Sequence, residues 1–184
     1  DFNSLSTVLD AADEHWSTFN LQLIKSAQKN IAYSFANFNK GAAYNGFQQV
    51  INGIYNYKNY RLGYIGSLLN TSANFDNGTF YKQNFNIAKG FKWIETGFNF
   101  NEENNQTANK LTDTLTAQSF SFRAYEFYLK STDSAKREFL LLYNQRFDKL
   151  PNGVNLQSFS KANTFTGKLI LSKNTNSNLA INAS

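Results

Sequence analysis

The sequence predicts an all-β fold, an antiparallel meander of long hairpins. Three observations carry that expectation. The stretch Phe47–Asn70 alternates with period two on both sides of a two-residue turn at Lys58–Asn59. Similar alternating stretches recur along the chain between Gly- and Asn-rich turns. No crossover helix stands between the strands, which excludes a doubly wound parallel sheet. The 184 residues are expected to form a single β-rich domain, 1–184, or a fragment of a larger barrel, with a lead-in over 1–16 and the meander over 17–184.

Residues Leu5, Val8, Leu9, Ala12 and Trp16 recur at three- and four-residue steps. Asp10, Asp13 and Glu14 sit where a helix dipole favours anions, so a short helical turn is expected over Ser6–Glu14. From Ser17 the chain alternates as a strand to Ala27. A second strand is expected over Ile31–Phe38, followed by a long connection, 39–46.

In the hairpin that follows, Phe47, Gln49, Ile51, Gly53, Tyr55 and Tyr57 fall on one face of the first arm, and Tyr60, Leu62, Tyr64, Gly66 and Leu68 on one face of the second. A turn this short forces antiparallel pairing. A long connection is expected at 71–78, then strands over Thr79–Ile87 and Phe91–Phe100 around a tight turn at 88–90. The polar stretch Asn101–Leu115 is expected to be the longest loop. Strands follow over Gln118–Lys130 and Arg137–Phe147, then a turn at Pro151–Gly153. Val154–Ser160, Phe165–Lys173 and Asn178–Asn182 complete about ten or eleven strands.

Composition narrows the function. There is no Cys, so disulfides, thiolate nucleophiles and Cys-ligated metals are excluded. The net charge of +5 is dispersed rather than gathered in a basic stripe, which argues against nucleic acid. No apolar run reaches the ~18 residues of a membrane helix, but a transmembrane β-barrel leaves only a weak hydropathy trace. The short-long alternation of connections expected up to Leu115, which falters after Ser131, and strands of about 9–11 residues match the design of outer-membrane barrels.

His15, the one histidine, is expected to be an exposed residue at a helix end. Glu95 and Glu126, in strands, are the carboxylates a hydrolase would need; Glu102, Glu103 and Glu138 are further candidates. No catalytic motif accompanies them, and no catalytic, metal or cofactor site is expected. The aromatics are more informative. Tyr55, Tyr57, Tyr60, Tyr64 and Trp93 gather near hairpin tips and are the candidate interface or ligand residues. They suit a girdle at a membrane surface, a glycan-stacking platform, or the margin of an ordinary β core.

Several segments resemble those of large outer-membrane and cell-surface β proteins of the Bacteroidota. These are Asp1–Leu9 with Asp10 and Asp13, and Arg123–Phe147 (RAYEFYLKSTDSAKREFLLLYNQRF), an aromatic arm, an Asp-Ser-Ala turn and a second arm. Asp113-Thr114-Leu115 and Asp133-Ser134-Ala135 resemble the O-glycosylation motif of exported proteins in that phylum, which implies Thr114 and Ser134 as sugar carriers. The resemblance implies an exported, non-enzymatic protein of the outer membrane or cell surface, with a structural, transport or secretion-related role. Its partners would be membrane lipid or other outer-membrane proteins, with no cofactor. Single-chain barrels usually end on an aromatic residue and this chain ends on Ser184, so a fragment of a larger barrel, or a soluble protein, is expected. The competing expectations are a soluble β-sandwich binding glycan, and a hydrolase using strand carboxylates.

Overall fold

The computed structural model describes residues 2–10, 14–26, 28–41, 44–131, 138–170 and 178–183. They form an all-β meander. One sheet holds 11 strands in sequence order, each paired antiparallel with the next. The strands are β1 (Phe2–Asp10), β2 (Glu14–Lys25), β3 (Lys29–Lys40), β4 (Tyr44–Tyr57), β5 (Tyr60–Ala73), β6 (Asp76–Gly90), β7 (Ile94–Asn109), β8 (Phe120–Ser131), β9 (Glu138–Asn152), β10 (Asn155–Ile170) and β11 (Asn178–Ala183). Among the described residues no pairing joins β1 to β11, so the sheet is open rather than closed into a barrel.

The helical turn expected over Ser6–Glu14 is corrected at 6–10 and 14; residues 11–13 lie outside the described residues. Ser6 to Asp10 pair with Thr18 to Glu14 as strand ladder. The outer edge of β2 offers a row of unpaired N–H and C=O groups, and satisfying that row outweighs a modest local helical preference. His15 consequently stands exposed in a strand, opposite Asn39.

The expected long loops are the second correction. Residues 39–40, 44–46, 71–73 and 76–78 are strand, and Asn101–Asn109 continues β7. The short-long alternation of connections therefore does not hold; 110–119 alone among the fully described connections is long. The polar end of β7 stays extended because its neighbours satisfy it. Asn84 donates to Asn101, Gln83 donates to Glu102 at 2.7 Å, and Lys82 pairs with Glu103 at 3.3 Å. Cross-strand polar pairs of this kind stabilise a ladder without burying apolar surface. The two strands expected on either side of 161–164 are one strand, β10, with a bulge between Ser158 and Ser160. Pro151 lies inside β9, and the turn sits at 153–154, where Gly153 has φ +63.

The turn at Lys58–Asn59 stands where the sequence placed it, and Lys58 takes the left-handed conformation at φ 51. The Phe47–Asn70 hairpin pairs Ile51 with Gly66 and Tyr57 with Tyr60, the register a two-residue turn at 58–59 sets.

Among the described residues there is no second layer. Among the described residues, the apolar side chains that reach full burial are Phe38 and Ala88, at 7% and 5% exposure. A sheet with such a small core holds together by backbone ladders and same-face neighbours, and both its surfaces await a cover.

Candidate functional site

The pairing register assigns each side chain to one of two surfaces, because residues opposite each other on antiparallel strands share a face. The surfaces differ in chemistry. One is aromatic: Phe19, Phe35, Tyr64, Phe85, Phe98, Phe100, Tyr125, Phe127 and Tyr143 lie on it. Ring contacts knit it together, with centroids 4.8 Å apart for Phe98 and Phe127 and 5.3 Å for Phe100 and Tyr125. Tyr64 lies over Gly66, where a Cβ would meet its hydroxyl oxygen at 2.6 Å.

The other surface is small and polar. It carries Ser34, Ala36, Gln48, Asn52, Asn84, Asn86, Asn99 and Asn101. Asn99 donates to Glu126 at 2.7 Å. Glu95 accepts from Arg61 at 2.9 Å, Lys130 at 3.1 Å and Tyr128 at 3.1 Å. Tyr128 covers Gly97, whose missing side chain leaves room for the ring. This surface is not uniformly polar: Ile54 and Ile65 project from it, 44% and 51% exposed, and Phe38, Leu69, Phe80, Phe122 and Leu142 lie on it as well.

The apolar band of the aromatic face does not follow the hydrogen-bonded rows. One row runs Lys29, Tyr55, Leu62, Ile87, Phe98, Phe127, Tyr143, Phe165, beginning charged at β3 and ending aromatic at β10. A row nearer the other rim runs Leu21, Tyr33, Ile51, Gly66, Gln83, Glu102, Arg123, Phe147, Lys161, beginning apolar and ending charged. The band therefore crosses the sheet obliquely. A layer of constant height laid across tilted strands has this form, since each successive strand enters it at a different residue.

Two rims bound the band. At the near rim are the turns 26–28, 58–59 and 91–93; Tyr55, Tyr57 and Tyr60 stand there together on the aromatic face, with Phe91 and Trp93 in the next turn. All five are exposed, Trp93 at 61%. Lysines lie over these rings: Lys29 at 4.9 Å from Tyr55, Lys58 at 5.3 Å from Tyr57, and Lys89 at 4.8 Å from Tyr60. Tyr64, expected with this cluster, lies deeper in the sheet, with its hydroxyl 3.5 Å from Gln83. Lys58 neighbours Tyr57 in sequence, whereas the Lys29 and Lys89 contacts were not foreseeable, because they depend on how β3 pairs with β4 and β5 with β6.

At the far rim, loop 110–119 ties its neighbours together. Lys110 N donates to Phe75 O at 2.8 Å, and Leu115 N to Gly153 O at 2.9 Å. Ser119, 1% exposed, exchanges hydrogen bonds with the Thr107 backbone at 2.9 and 3.1 Å. Thr114 is exposed on this loop, its hydroxyl 2.7 Å from that of Thr112. Ser134 lies outside the described residues.

Glu95 and Glu126 share the small-polar face, but the Gly97–Tyr128 row separates them. Four residues of strand amount to about 13 Å, more than the ~5–9.5 Å between the paired carboxyls of a glycosidase. Among the described residues no three His, Cys, Asp or Glu side chains are placed to hold a metal, and no helix is long and apolar enough to cross a membrane. No protein-family model matches the chain, and neither a curated protein nor a solved structure does.

Proposed function

We propose that this chain is a non-enzymatic, membrane-spanning β-sheet, part of the wall of an outer-membrane or cell-surface β-barrel with a structural, transport or secretion-related role. The observation that carries this reading is the oblique apolar band on one face, backed by a small-polar opposite face. A barrel wall needs lipid-facing and lumen-facing residues to alternate along every strand, and its strands tilt through the bilayer. The near-rim tyrosines and Trp93, each with a polar tip and several with a lysine above the ring, suit the bilayer surface. An open single layer would obtain its closure from further strands and its cover from lipid. Loop lengths lend no support, since the connections do not alternate.

The test is expression without an export route, in the absence of detergent. The account expects aggregation in water, recovery by refolding into detergent or vesicles, and flotation with the vesicles on a density gradient. A stable, monodisperse monomer in plain buffer would contradict it.

A second reading rests on the near-rim cluster alone: exposed Tyr57, Tyr60 and Trp93 could stack sugars on a soluble module. Binding on a glycan panel that is lost in Y57A, Y60A and W93A would favour that reading.

A further inference from the structure

The molecule holds a cleft of about 800 Å³ on the aromatic face, between β7 and β10 and on the far-rim side of the apolar band. Its volume lies within the usual range of a ligand site, roughly 300–1,000 Å³. Tyr125 and Phe147 form an aromatic floor, with ring centroids 6.3 Å apart in an edge-on arrangement. The bulge between Ser158 and Ser160 opens one side, and Phe159, the extra residue, projects there at 70% exposure. Bulges often mark positions where a strand is bent to re-aim side chains.

The charge in this cleft is unbalanced. Glu102, the carboxylate on this face, is engaged by Arg123; Asp148 borders the cleft, but its pairing with Phe122 and Ser160 places it on the other face, where it accepts from Arg146 at 2.8 Å and Ser160 at 3.1 Å. Two lysines remain. Lys161 lies 5.3 Å from the Phe147 ring, and neither Lys149 nor Lys161 forms an ion pair among the described residues. They occupy adjacent rows of neighbouring strands, because Lys161 pairs with Phe147 and Lys149 with Ser158.

We propose that this cleft binds the phosphate headgroup of an anionic membrane lipid. Lys149 and Lys161 would hold the phosphate, the Tyr125–Phe147 floor would meet the glycerol region, and the acyl chains would lie along Phe127, Tyr143 and Phe165 towards the near rim. The position carries the assignment. A cationic cleft at the edge of an apolar band matches a ligand with a charged head and an apolar tail, whereas free phosphate would leave the aromatic floor and the band unused. Lysines at such an edge keep their stems on apolar surface and their ammonium groups in the headgroup layer. This inference rests on the membrane-spanning reading.

The experiment compares binding of fluorescent phosphatidic acid and fluorescent phosphatidylcholine to the full chain refolded in neutral phosphatidylcholine vesicles. The expected result is a preference for phosphatidic acid. It falls about fivefold for each lysine removed, so about 25-fold in K149A/K161A. The K149R/K161R variant keeps the preference, which separates loss of charge from misfolding. Inorganic phosphate at millimolar concentration does not compete; full displacement by it would assign the cleft to free phosphate and overturn the lipid assignment. Insertion into neutral vesicles with no preference would overturn the site and leave the membrane reading standing. Failure to insert into any vesicle would overturn both.

Discussion

Ile51 and Ile65 offer a matched pair for separating a lipid-covered face from a solvated one. They lie side by side on β4 and β5, since Ile51 faces Gly66 and Asn52 faces Ile65. Their exposures are similar, 41% and 51%. Ile51 stands in the middle of the oblique band on the aromatic face, and Ile65 on the small-polar face, flanked by Asn52 and Asn84. In water both would be ordinary surface positions, and Ile51→Lys and Ile65→Lys would each change stability by no more than about 0.5 kcal/mol. In a bilayer the two must diverge. A lysine near the midplane of a barrel's lipid face costs about 2–4 kcal/mol, while a lumen position tolerates it. Urea titration of the protein refolded in vesicles, followed by the tryptophan fluorescence of Trp16 and Trp93, measures both costs. The reasoning predicts a gap of at least about 2 kcal/mol between the variants. Equal costs, whether both small or both large, would refute it.

Two further predictions concern the small-polar face. Gly97→Ala places a Cβ against the Tyr128 ring; it is expected to cost about 1–3 kcal/mol as an overpacking change. In a Tyr128→Ala background the same substitution is expected to cost little, and a double-mutant cycle by urea titration reads that coupling. Glu95→Ala leaves Arg61, Lys130 and Tyr128 without their shared acceptor and is expected to cost about 1–2 kcal/mol. Arg61→Ala removes a half-exposed partner and is expected to cost less than about 1 kcal/mol, with the gap narrowing in high salt. Thr114 is exposed on loop 110–119, and glycopeptide mass spectrometry of protein from its native host is expected to find sugar there.

What the sequence revealed follows the reach of its patterns. The faces of Phe47–Asn70 were legible because period-two alternation needs no knowledge of neighbours, and the turn at Lys58–Asn59 followed from its flanks. The strand character of Asn101–Asn109 was not legible. Its Asn, Glu and Gln residues read as a loop, and what keeps them extended is Gln83, Asn84, Lys82 and Arg123 on adjacent strands. The polar stretch 161–164 misled in the same way, since Asn163 accepts from Gln145 at 2.9 Å across the ladder. The Ser6–Glu14 helix failed because its competitor was the open edge of β2, which lies outside any local window. Of the candidate site, Tyr55, Tyr57 and Tyr60 were legible as a cluster at one hairpin tip and Trp93 as a residue of another tip; Tyr64 was wrongly grouped with the first. The oblique band and the cleft with Lys149 and Lys161 were not, because both exist only once every strand has its register.

A membrane-spanning sheet would turn one face to lipid and the other away from it. The chain has no Cys, so single cysteines can carry a spin label without background. Labels at Leu62, Tyr64 and Leu68, alternating with Gly63, Ile65 and Ser67, walk along β5 through both faces. In vesicles, collision with oxygen dissolved in the bilayer is predicted to peak at Leu62, Tyr64 and Leu68, and collision with a water-soluble nickel chelate at Gly63, Ile65 and Ser67. Equal access of the nickel chelate to all six positions would contradict a membrane-spanning sheet.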